Sequence, residues 1–523
     1  MHRPETDRIG TLATPHHAAT RAGERAFERG GTAIDAALAA AAVLSVVYPH
    51  NVSIGGDLFA VVRDPLGTVR CINASGPAGV AADAAALRHD HGDELPYRGI
   101  DTVTVPGALR GWEALHRLGA RRPWSEIFDD SIAAAEGAPV ARSLADAFVT
   151  ERDAIGADPG FSAVFAPGGR FPTAGEDLAQ PALRRTLEIL RRDGADALYE
   201  GALTEAFLAG LRGLGAAVTA PDLLLYRPET VEPLSSTFGA WTVHTSPPNS
   251  QGFALLRVLE QLDALGIADP LGTGLGTLME LFHRANTLRD EQLGDPRSGT
   301  LTLDSLLTAD AFTAASPVGA GFERPRGDTV GIAAADSTGW SVSLIQSVYH
   351  AFGSGVLEPV TGILLHNRGT SFSLRPGSPN LLAPGRRPLH TLMPVIVTEE
   401  GRLRAVSATM GGQGQPQIHA QVLLRVAAGA SAAEAVAAPR AIVGPQQDGD
   451  SSTTVHLEDD LPAEARASVS RTALDPRPVP RLSELVGHAN LVLVAADGSF
   501  DSGSDPRADG SASTTAVGGA GPL

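Results

Sequence analysis

A breaker-rich connector followed by a predicted hairpin is the feature that most constrains the fold of this chain. The connector, residues 316–328, is rich in glycine and proline and is predicted to be an exposed loop. From Thr329 onward apolar side chains alternate along a first arm, residues 336–339 supply turn types, and residues 340–349 form a second arm. The two-residue period of a strand predicts that Ser347 faces the arm that Thr329 begins.

The position of Thr329 would allow it to act as a nucleophile. A threonine hydroxyl is a poor nucleophile unless a base lies beside it. Cleavage of the Asp328–Thr329 bond would free an α-amine, whose pKa is ordinarily ~7.7–8, so that a single residue would supply both nucleophile and proton acceptor. A threonine that opens a strand after a Gly-Asp turn is also ordinary β-structure, and the segment alone is compatible with both interpretations.

The composition narrows the class of protein. The chain has 523 residues, 43% of them hydrophobic, which suffices for two or more domains or one large layered body. Its net charge of −18 disfavours nucleic-acid binding. It contains no lysine, which excludes Schiff-base chemistry, and its single Cys71 excludes an intrachain disulfide and a multi-cysteine metal site.

The sequence predicts neither a secretory signal nor a membrane span. The first ten residues carry charges of both signs and no apolar core segment. The most apolar stretch, residues 36–48, is bounded by Asp35 and Pro49 and is too short to cross a bilayer. We therefore expect a soluble, cytoplasmic protein that binds no membrane.

Periodicity along the rest of the chain predicts sheets covered by helices. Helical patterns occur at residues 15–30, 32–47, much of 104–222, 253–265, 275–293 and 416–427. Strand patterns occur at residues 58–63, 68–74, 237–245, 362–367, 394–398, 404–408 and 490–496. Because the strands cluster toward both ends of the chain with helical blocks between them, the expected fold class is a layered α+β body.

A second feature of the sequence is a glycine pair that could stabilise the oxyanion of an acyl transfer. Gly411 and Gly412 lie between a predicted strand and a predicted helix, where adjacent N–H groups can point at a developing oxyanion. The same pair also fits an ordinary turn. The loop at 386–391 fits either a solvated basic segment or a binding role, and the segment 88–94, which has metal-ligand residue types, is expected to be a solvated loop.

Nearly end to end, the sequence resembles the γ-glutamyltransferase family of N-terminal-nucleophile hydrolases. The motifs that carry the resemblance include Gly30-Gly-Thr-Ala-Ile-Asp35, Ser53-Ile-Gly-Gly-Asp57, Pro247-Pro-Asn-Ser-Gln-Gly252, Phe352-Gly-Ser-Gly355, Gly362-Ile-Leu-Leu365, Gly411-Gly412, Pro439-Arg440 and Ser504-Asp-Pro-Arg507. The resemblance implies a four-layer αββα sandwich with extra helices from a large subunit. It also implies that a precursor cleaves itself into a large subunit, residues 1–328, and a small subunit, residues 329–523, which stay associated.

The resemblance assigns the catalytic roles. Thr329 corresponds to the nucleophile and Ser347 to the second hydroxyl that hydrogen-bonds it. Gly411 and Gly412 correspond to the paired glycines of the oxyanion hole. The resemblance implies no cofactor and no metal.

The substrate pocket departs from the family pattern. The positions that would contact substrate are Asn73, Tyr349, Arg368, Ser371, His390 and Thr391. Around Asn73 the arginine that holds the carboxylate of a γ-glutamyl group is missing, and Arg70 is out of register. Ser371 replaces the acid that holds the α-amino group, and Tyr349 replaces the asparagine that assists it. Two lost charge-assisted contacts of about 1.5–3 kcal/mol each would weaken binding of an α-amino acid group by ~100-fold or more.

Two further differences from the family pattern could replace part of the lost binding of the substrate's charged groups. His390-Thr391 stands where the family has a serine pair, and Arg368 offers a positive charge where the family has a neutral side chain. The pattern therefore resembles the acylase-like branch of the family, which includes cephalosporin acylases.

We expect a self-processing amidohydrolase or acyltransferase. Thr329 would take a γ-glutamyl or related acyl group from a small-molecule amide or peptide and pass it to water or an amine. One alternative is a glutaryl- or cephalosporin-acylase type amidase without γ-glutamyl preference. The other is an unprocessed, catalytically silent binding homologue. Assembly into a homo-oligomer is compatible with the sequence.

Overall fold

The structure, a computed structural model, describes residues 8–299, 306–307 and 328–518. It is a four-layer αββα sandwich, which confirms the fold class: two β-sheets face each other, and each carries helices on its outer face. The predicted exposed connector lies outside the described residues up to position 327. Within the described ranges, no helix has the length and apolar character needed to cross a membrane.

The strands of the described residues are numbered along the chain. They are β1 (Ile9–Thr14), β2 (Asp57–Arg63), β3 (Val69–Ala74), β4 (Ala138–Pro139), β5 (Asp177–Leu178), β6 (Glu229–Val231), β7 (Leu234–Phe238), β8 (Trp241–Thr245), β9 (Asp328–Asp336), β10 (Ser341–Tyr349), β11 (Leu357–Glu358), β12 (Ile363–Leu364), β13 (Val395–Glu399), β14 (Arg402–Met410), β15 (Ala441–Val443), β16 (Thr454–Glu458), β17 (Asp475–Val479), β18 (His488–Val494), β19 (Phe500–Ser504) and β20 (Ser511–Ala516). The first large sheet has the order β20-β1-β9-β10-β2-β3-β6 and the second β19-β18-β14-β13-β8-β7. Neighbouring strands are antiparallel in both sheets.

The helices of the described residues are numbered in the same way. They are α1 (His17–Glu28), α2 (Ala33–Val47), α3 (Ala84–His91), α4 (Ala108–Gly119), α5 (Asp129–Glu136), α6 (Arg142–Thr150), α7 (Arg152–Ile155), α8 (Pro159–Phe165), α9 (Pro181–Asp193), α10 (Asp196–Tyr199), α11 (Thr204–Gly213), α12 (Ala220–Leu225), α13 (Phe253–Leu265), α14 (Leu275–Gln292), α15 (Gln415–Ala427), α16 (Ala432–Ala437) and α17 (Ala463–Val469). Helices α1 and α2 pack on the outer face of the first sheet, and α13 to α16 on the outer face of the second.

Helix α2 shows how the sequence builds the outer layer. Thr32 caps it, and its backbone N–H donates to Asp35 Oδ2 at 2.7 Å. Every residue of the helix is buried, since its many alanines allow it to lie close against the sheet. The N–H of Ala33 donates to Asp336 Oδ2 at 2.7 Å, which ties the start of the helix to the end of β9.

The interface between the sheets fixes the position of the predicted site. Gly331 of β9 faces the backbone of Ala408 so closely that a Cβ there would lie 2.7 Å from the Ala408 carbonyl carbon. Small and apolar side chains fill most of the interface. Because β9 crosses β14 at this point, the start of β9, with Thr329, lies at the same end of the sandwich as Gly411, which follows β14.

Three local predictions were wrong. Residues 237–245 form the end of β7 and all of β8, because Gly239, at φ 56°, reverses the chain between them. Only β12 of the predicted strand 362–367 pairs in a ladder, since the next residues hydrogen-bond to Gly55 and to β10 instead. Residues 88–91 end helix α3, which Asp83 caps, although residues 88–92 are solvent-exposed as predicted.

Candidate active site

A β-bulge in β10 turns the side chain of Ser347 toward Thr329, the predicted nucleophile. Along β9 and β10, Gln346 pairs with Val330 and Tyr349 pairs with Asp328, so two residues of β10 lie opposite Thr329 alone. The extra residue interrupts the pairing of Ser347 with β9. Its hydroxyl then lies beside the intact Asp328–Thr329 peptide bond.

The hydroxyls of Thr329 and Ser347 form a buried pair. Thr329 is 1% exposed, and its Oγ1 donates to Ser347 Oγ at 3.2 Å. Ser347 Oγ in turn donates to the carbonyl oxygen of Asp328 at 2.5 Å and accepts from the N–H of Tyr349 at 2.7 Å. A hydroxyl beside a polarised carbonyl is the arrangement that an acyl shift requires.

The glycine pair lies in backbone conformations that favour glycine. Gly411 has φ 148° and Gly412 has φ 50°. The Gly411 carbonyl accepts from the N–H of Gly414 at 2.8 Å, and the Gly412 carbonyl accepts from Gln251 Nε2 at 2.9 Å. Among the described residues, neither N–H of the pair has an acceptor, so both can donate to a bound oxyanion.

Arg289 hydrogen-bonds to the loop that carries Gly411 and Gly412. It extends from α14 and is 2% exposed. Its Nη1 donates to Gln251 Oε1 at 3.1 Å and its Nη2 to Gln413 Oε1 at 2.9 Å. Gln251 Nε2 also donates to the carbonyl of Thr391 at 2.9 Å. The network therefore links the glycine loop to the loop of His390-Thr391.

Arg368 is a buried cation held by neutral groups. It is 1% exposed, its Nη1 donates to Ser371 Oγ at 3.2 Å, and its Nη2 donates to Thr391 Oγ1 at 3.1 Å. Its Cζ lies 3.6 Å from the centroid of the Tyr349 ring. No carboxylate of the described residues lies within ion-pair distance of it. Burial lowers the pKa of Arg368 to about 10, against the opposing effect of Tyr349 and Asp57, so it stays charged at neutral pH.

The other two predicted substrate contacts have partners within the protein. His390 Nε2 lies 3.1 Å from Asp57 Oδ2, and its Nδ1 accepts from the N–H of Leu392 at 3.2 Å. Asn73 is 2% exposed, and its Nδ2 donates to Asn249 Oδ1 at 3.0 Å. The structure thus brings Tyr349, with Arg368 against its ring, together with the hydroxyl pair. His390 and Asn73 instead form hydrogen bonds within the surrounding loops.

A surface cleft lies close to this region. It has a volume of about 440 Å³, and its lining includes Arg289, Gln413 and Ser373 but neither the hydroxyl pair, Arg368 nor the glycine pair. Within the described ranges, no three His, Cys, Asp or Glu side chains form a group able to hold a metal ion.

Sequence reasoning missed four residues that surround the site. Asp57 and Gln251 were visible as members of family-like motifs, but nothing in the sequence separated their function from the rest of the motif. Arg289 and His366 carried no signal, because each meets its partners from a distant part of the chain.

Comparisons with known proteins agree with the architecture. The family model described as Gamma-glutamyltranspeptidase matches residues 19–515. The chain is 35% identical to the oxamate amidohydrolase proenzyme of Klebsiella pneumoniae over 531 residues, which cover 98% of this chain and 99% of that protein. It is 32% identical to the glutathione hydrolase-like YwrD proenzyme of Bacillus subtilis over 520 residues, covering 96% and 98%.

Among solved structures, the cephalosporin acylase from Bacillus halodurans superposes with a TM-score of 0.89 at 30% identity, covering 97% of this chain and 96% of that one. The sequence match and the shared fold both run through almost the whole chain. The protein therefore belongs to the gamma-glutamyltranspeptidase family.

Proposed function

We propose that this protein is a self-processing amidohydrolase or acyltransferase whose nucleophile is Thr329. The observation that carries the proposal is the contact between Thr329 Oγ1 and Ser347 Oγ, 3.2 Å, together with the donation from Ser347 to the Asp328 carbonyl. Family membership supports an enzyme of the hydrolase and transferase class. The proenzyme names of two relatives support processing.

In the proposed processing step, Thr329 Oγ1 attacks the carbonyl carbon of Asp328 while Ser347 donates to the carbonyl oxygen. The new C–O bond replaces the C–N bond and the hydroxyl proton passes to the departing nitrogen, which leaves an ester and a free α-amine on Thr329. Water then hydrolyses the ester, and Asp328 becomes the C-terminal carboxylate of the large subunit. The two subunits stay together because strands of both alternate in one sheet, where β9 lies between β1 and β10 and β10 lies beside β2.

In the proposed turnover, the α-amine of Thr329 accepts the hydroxyl proton as Oγ1 attacks the substrate amide. The N–H groups of Gly411 and Gly412 receive the oxyanion. Collapse expels the amine, which takes up the proton, and leaves an acyl-enzyme. Water or a second amine then takes the acyl group and restores the hydroxyl.

We propose further that the acyl group carries a carboxylate that binds Arg368. This guanidinium is buried, charged and without a carboxylate partner among the described residues, so an anionic ligand would compensate its charge. Ser371 and Tyr349, which lie beside it, offer no negative charge to an α-ammonium group. The name of one relative, an oxamate amidohydrolase, is consistent with a carboxylate-bearing acyl group other than γ-glutamyl.

Two measurements test the proposal. Intact mass of the purified protein should show two fragments, about 34 and 20 kDa if the 53.9 kDa chain is divided in proportion to length. Thr329→Ala should remain one chain, and the matched Thr329→Ser variant, which keeps a hydroxyl, should still split. An unprocessed wild type would favour the catalytically silent alternative, and cleavage of the alanine variant at the same bond would refute the nucleophile.

The second measurement compares acyl groups in the processed wild type. Glutaryl-p-nitroanilide carries the carboxylate without the α-amino group, and γ-glutamyl-p-nitroanilide carries both. We expect the glutaryl compound to have the higher kcat/KM. A clear preference for the γ-glutamyl compound would contradict the proposed pocket and support a glutathione hydrolase-like activity.

A further inference from the structure

A buried carboxylate lies beneath the proposed site and plays no part in the chemistry described so far. Asp57, the first residue of β2, is 1% exposed. Its Oδ1 accepts from the N–H of Gly76 at 3.0 Å, and its Oδ2 lies 3.1 Å from His390 Nε2 and 3.4 Å from His366 Nδ1. A carboxylate at this depth requires compensation by charge and hydrogen bonds.

Two histidines surround the Asp57 carboxylate. His390 Nδ1 accepts from a backbone N–H, so its ring proton is on Nε2 and is donated to Asp57. His366 Nε2 lies 3.0 Å from the carbonyl oxygen and 3.2 Å from the hydroxyl of Thr104, and its Nδ1 faces Asp57 Oδ2. His366 and His390 therefore flank the same carboxylate oxygen.

The charge of Asp57 is consistent with this pairing. Burial alone would raise the pKa of the carboxyl, but His366 and His390 together hold it well below its usual range. Asp57 therefore stays ionised at neutral pH in spite of its burial.

Asp57 connects the segments that bear the proposed substrate contacts. His366 precedes Arg368 by two residues, and His390 directly precedes Thr391, which accepts from Arg368 Nη2. In the ladder between β2 and β10, Asp57 lies opposite Ser347. A single carboxylate therefore joins the strand that bears the catalytic hydroxyl to the two loops that hold the guanidinium.

We propose that Asp57 is a positioning residue that, through His366 and His390, fixes Arg368 and so determines specificity for acyl groups that carry a carboxylate. The inference rests on the proposed function, because it assumes that Arg368 binds the acyl carboxylate. Asp57 itself touches neither the hydroxyl pair nor the reacting atoms. Its influence on catalysis is therefore expected in substrate binding rather than in the chemical step.

The test is the Asp57→Asn variant, assayed with two probes that differ in a single group. Glutaryl-p-nitroanilide carries the carboxylate, and 4-carbamoylbutyryl-p-nitroanilide carries a neutral amide of the same shape. We expect the variant to raise KM for the glutaryl probe ~10- to 100-fold with kcat changed less than ~3-fold, and to leave kcat/KM for the neutral probe within ~3-fold. Asp64→Asn, which removes a carboxylate beyond the other end of β2 that pairs with Arg70, is the matched control and should change neither probe.

A coupling measurement separates positioning from general damage. In an Arg368→Gln background, Asp57→Asn should raise KM for the glutaryl probe no further, because the group that it positions is gone. Equal losses for both probes, or no loss for either, would overturn the inference. If Asp57→Asn does not fold, His366→Gln, which removes the imidazole that faces Asp57, should give the same selective rise in KM. An unselective loss in that variant counts equally against the inference.

The outcomes for the wild type keep this inference separate from the proposed function. A wild type that splits and hydrolyses the glutaryl probe supports the proposed function, and an unselective Asp57 variant then refutes the positioning role alone. A wild type that neither splits nor hydrolyses the probe refutes the proposed function, and with it the inference that depends on it.

Discussion

Asn490 Nδ2 donates a hydrogen bond of 2.9 Å to the carbonyl of Gly331, which ties the second sheet to the strand that Thr329 begins. The strand lies so close to β14 that only a glycine fits at position 331. The relative position of Thr329 and the Gly411 loop therefore depends on how closely the two sheets pack.

Gly331→Ala should separate the sheets. Its Cβ would lie 2.7 Å from backbone atoms of Ala408 and Thr409, which cannot move away as a flexible side chain can. We expect a loss of about 1–3 kcal/mol in the free energy of unfolding, measured by urea titration, and slower processing, measured on a denaturing gel. Gly213→Ala is the control, because a Cβ there meets nothing within 4 Å. Equal stability of the two variants would contradict the role assigned to Gly331.

Ser347→Ala should slow self-cleavage. The change removes the donor to the Asp328 carbonyl and the acceptor of the Thr329 hydroxyl, so the carbonyl loses its polarisation. We expect the rate of appearance of the small fragment to fall by ~10²-fold or more, followed by mass spectrometry of freshly made precursor. Ser347→Thr keeps the hydroxyl and should process at a rate much closer to that of the wild type. Unchanged processing of the alanine variant would remove Ser347 from the mechanism.

Arg289→Gln should reduce kcat more than it changes KM. The guanidinium holds Gln251, whose Nε2 fixes the Gly412 carbonyl and so the orientation of the proposed oxyanion hole. Misalignment of one donor should lower kcat by ~10- to 100-fold, measured by steady-state kinetics on processed enzyme. Arg284, on the same helix but exposed, provides the matched control Arg284→Gln. A rise in KM at constant kcat would show that Arg289 acts on substrate binding instead.

Stability should fall as the pH drops from about 7 to 5. Burial lowers the pKa of His50, His390 and His419 to about 3, with the charge of Arg368 adding to the effect at His390. Below the unfolded pKa of about 6.5, the unfolded chain takes up protons that the folded protein does not, so the free energy of unfolding decreases. Each histidine contributes a slope of up to about 1.4 kcal/mol per pH unit.

The urea midpoint at pH 7.5, 6.0 and 5.0 measures this slope. His419→Gln should make it shallower, because one of the buried imidazoles is gone, whereas substitution of the exposed His89 with asparagine should leave it unchanged. A urea midpoint that stays constant from pH 7.5 to 5.0 would mean that the folded protein does not hold the buried histidines neutral.

Much of the local structure was predictable because its signals are close together in the sequence. The hairpin of β9 and β10 follows from alternation and turn residues, and the helix Phe253–Leu265 was predicted with the bounds that the structure shows. The cap of α2 at Thr32 was predicted from the residue type. These elements depend on propensity and periodicity over a few neighbouring residues.

The site was predictable only in part. The sequence predicted that Ser347 faces Thr329, and the structure puts the two hydroxyls within hydrogen-bonding distance, but through a bulge that the two-residue period does not include. The role of Gly411 and Gly412 stays a prediction. His390 points to Asp57, and its position beside Thr391 in the sequence does not predict that orientation.

The sequence by itself determined the family, the fold class and the hairpin, because each of these is encoded in short motifs or in local periodicity. Which residues bear the chemistry stays a prediction from the same motifs. Only the tertiary structure decided which of these residues meet. Asp57 reaches His390 across 333 positions of sequence and Arg289 reaches Gln413 across 124. Such contacts form because burial leaves each charged or polar group few partners, and those partners are set by how sheets and helices pack rather than by neighbours in the chain.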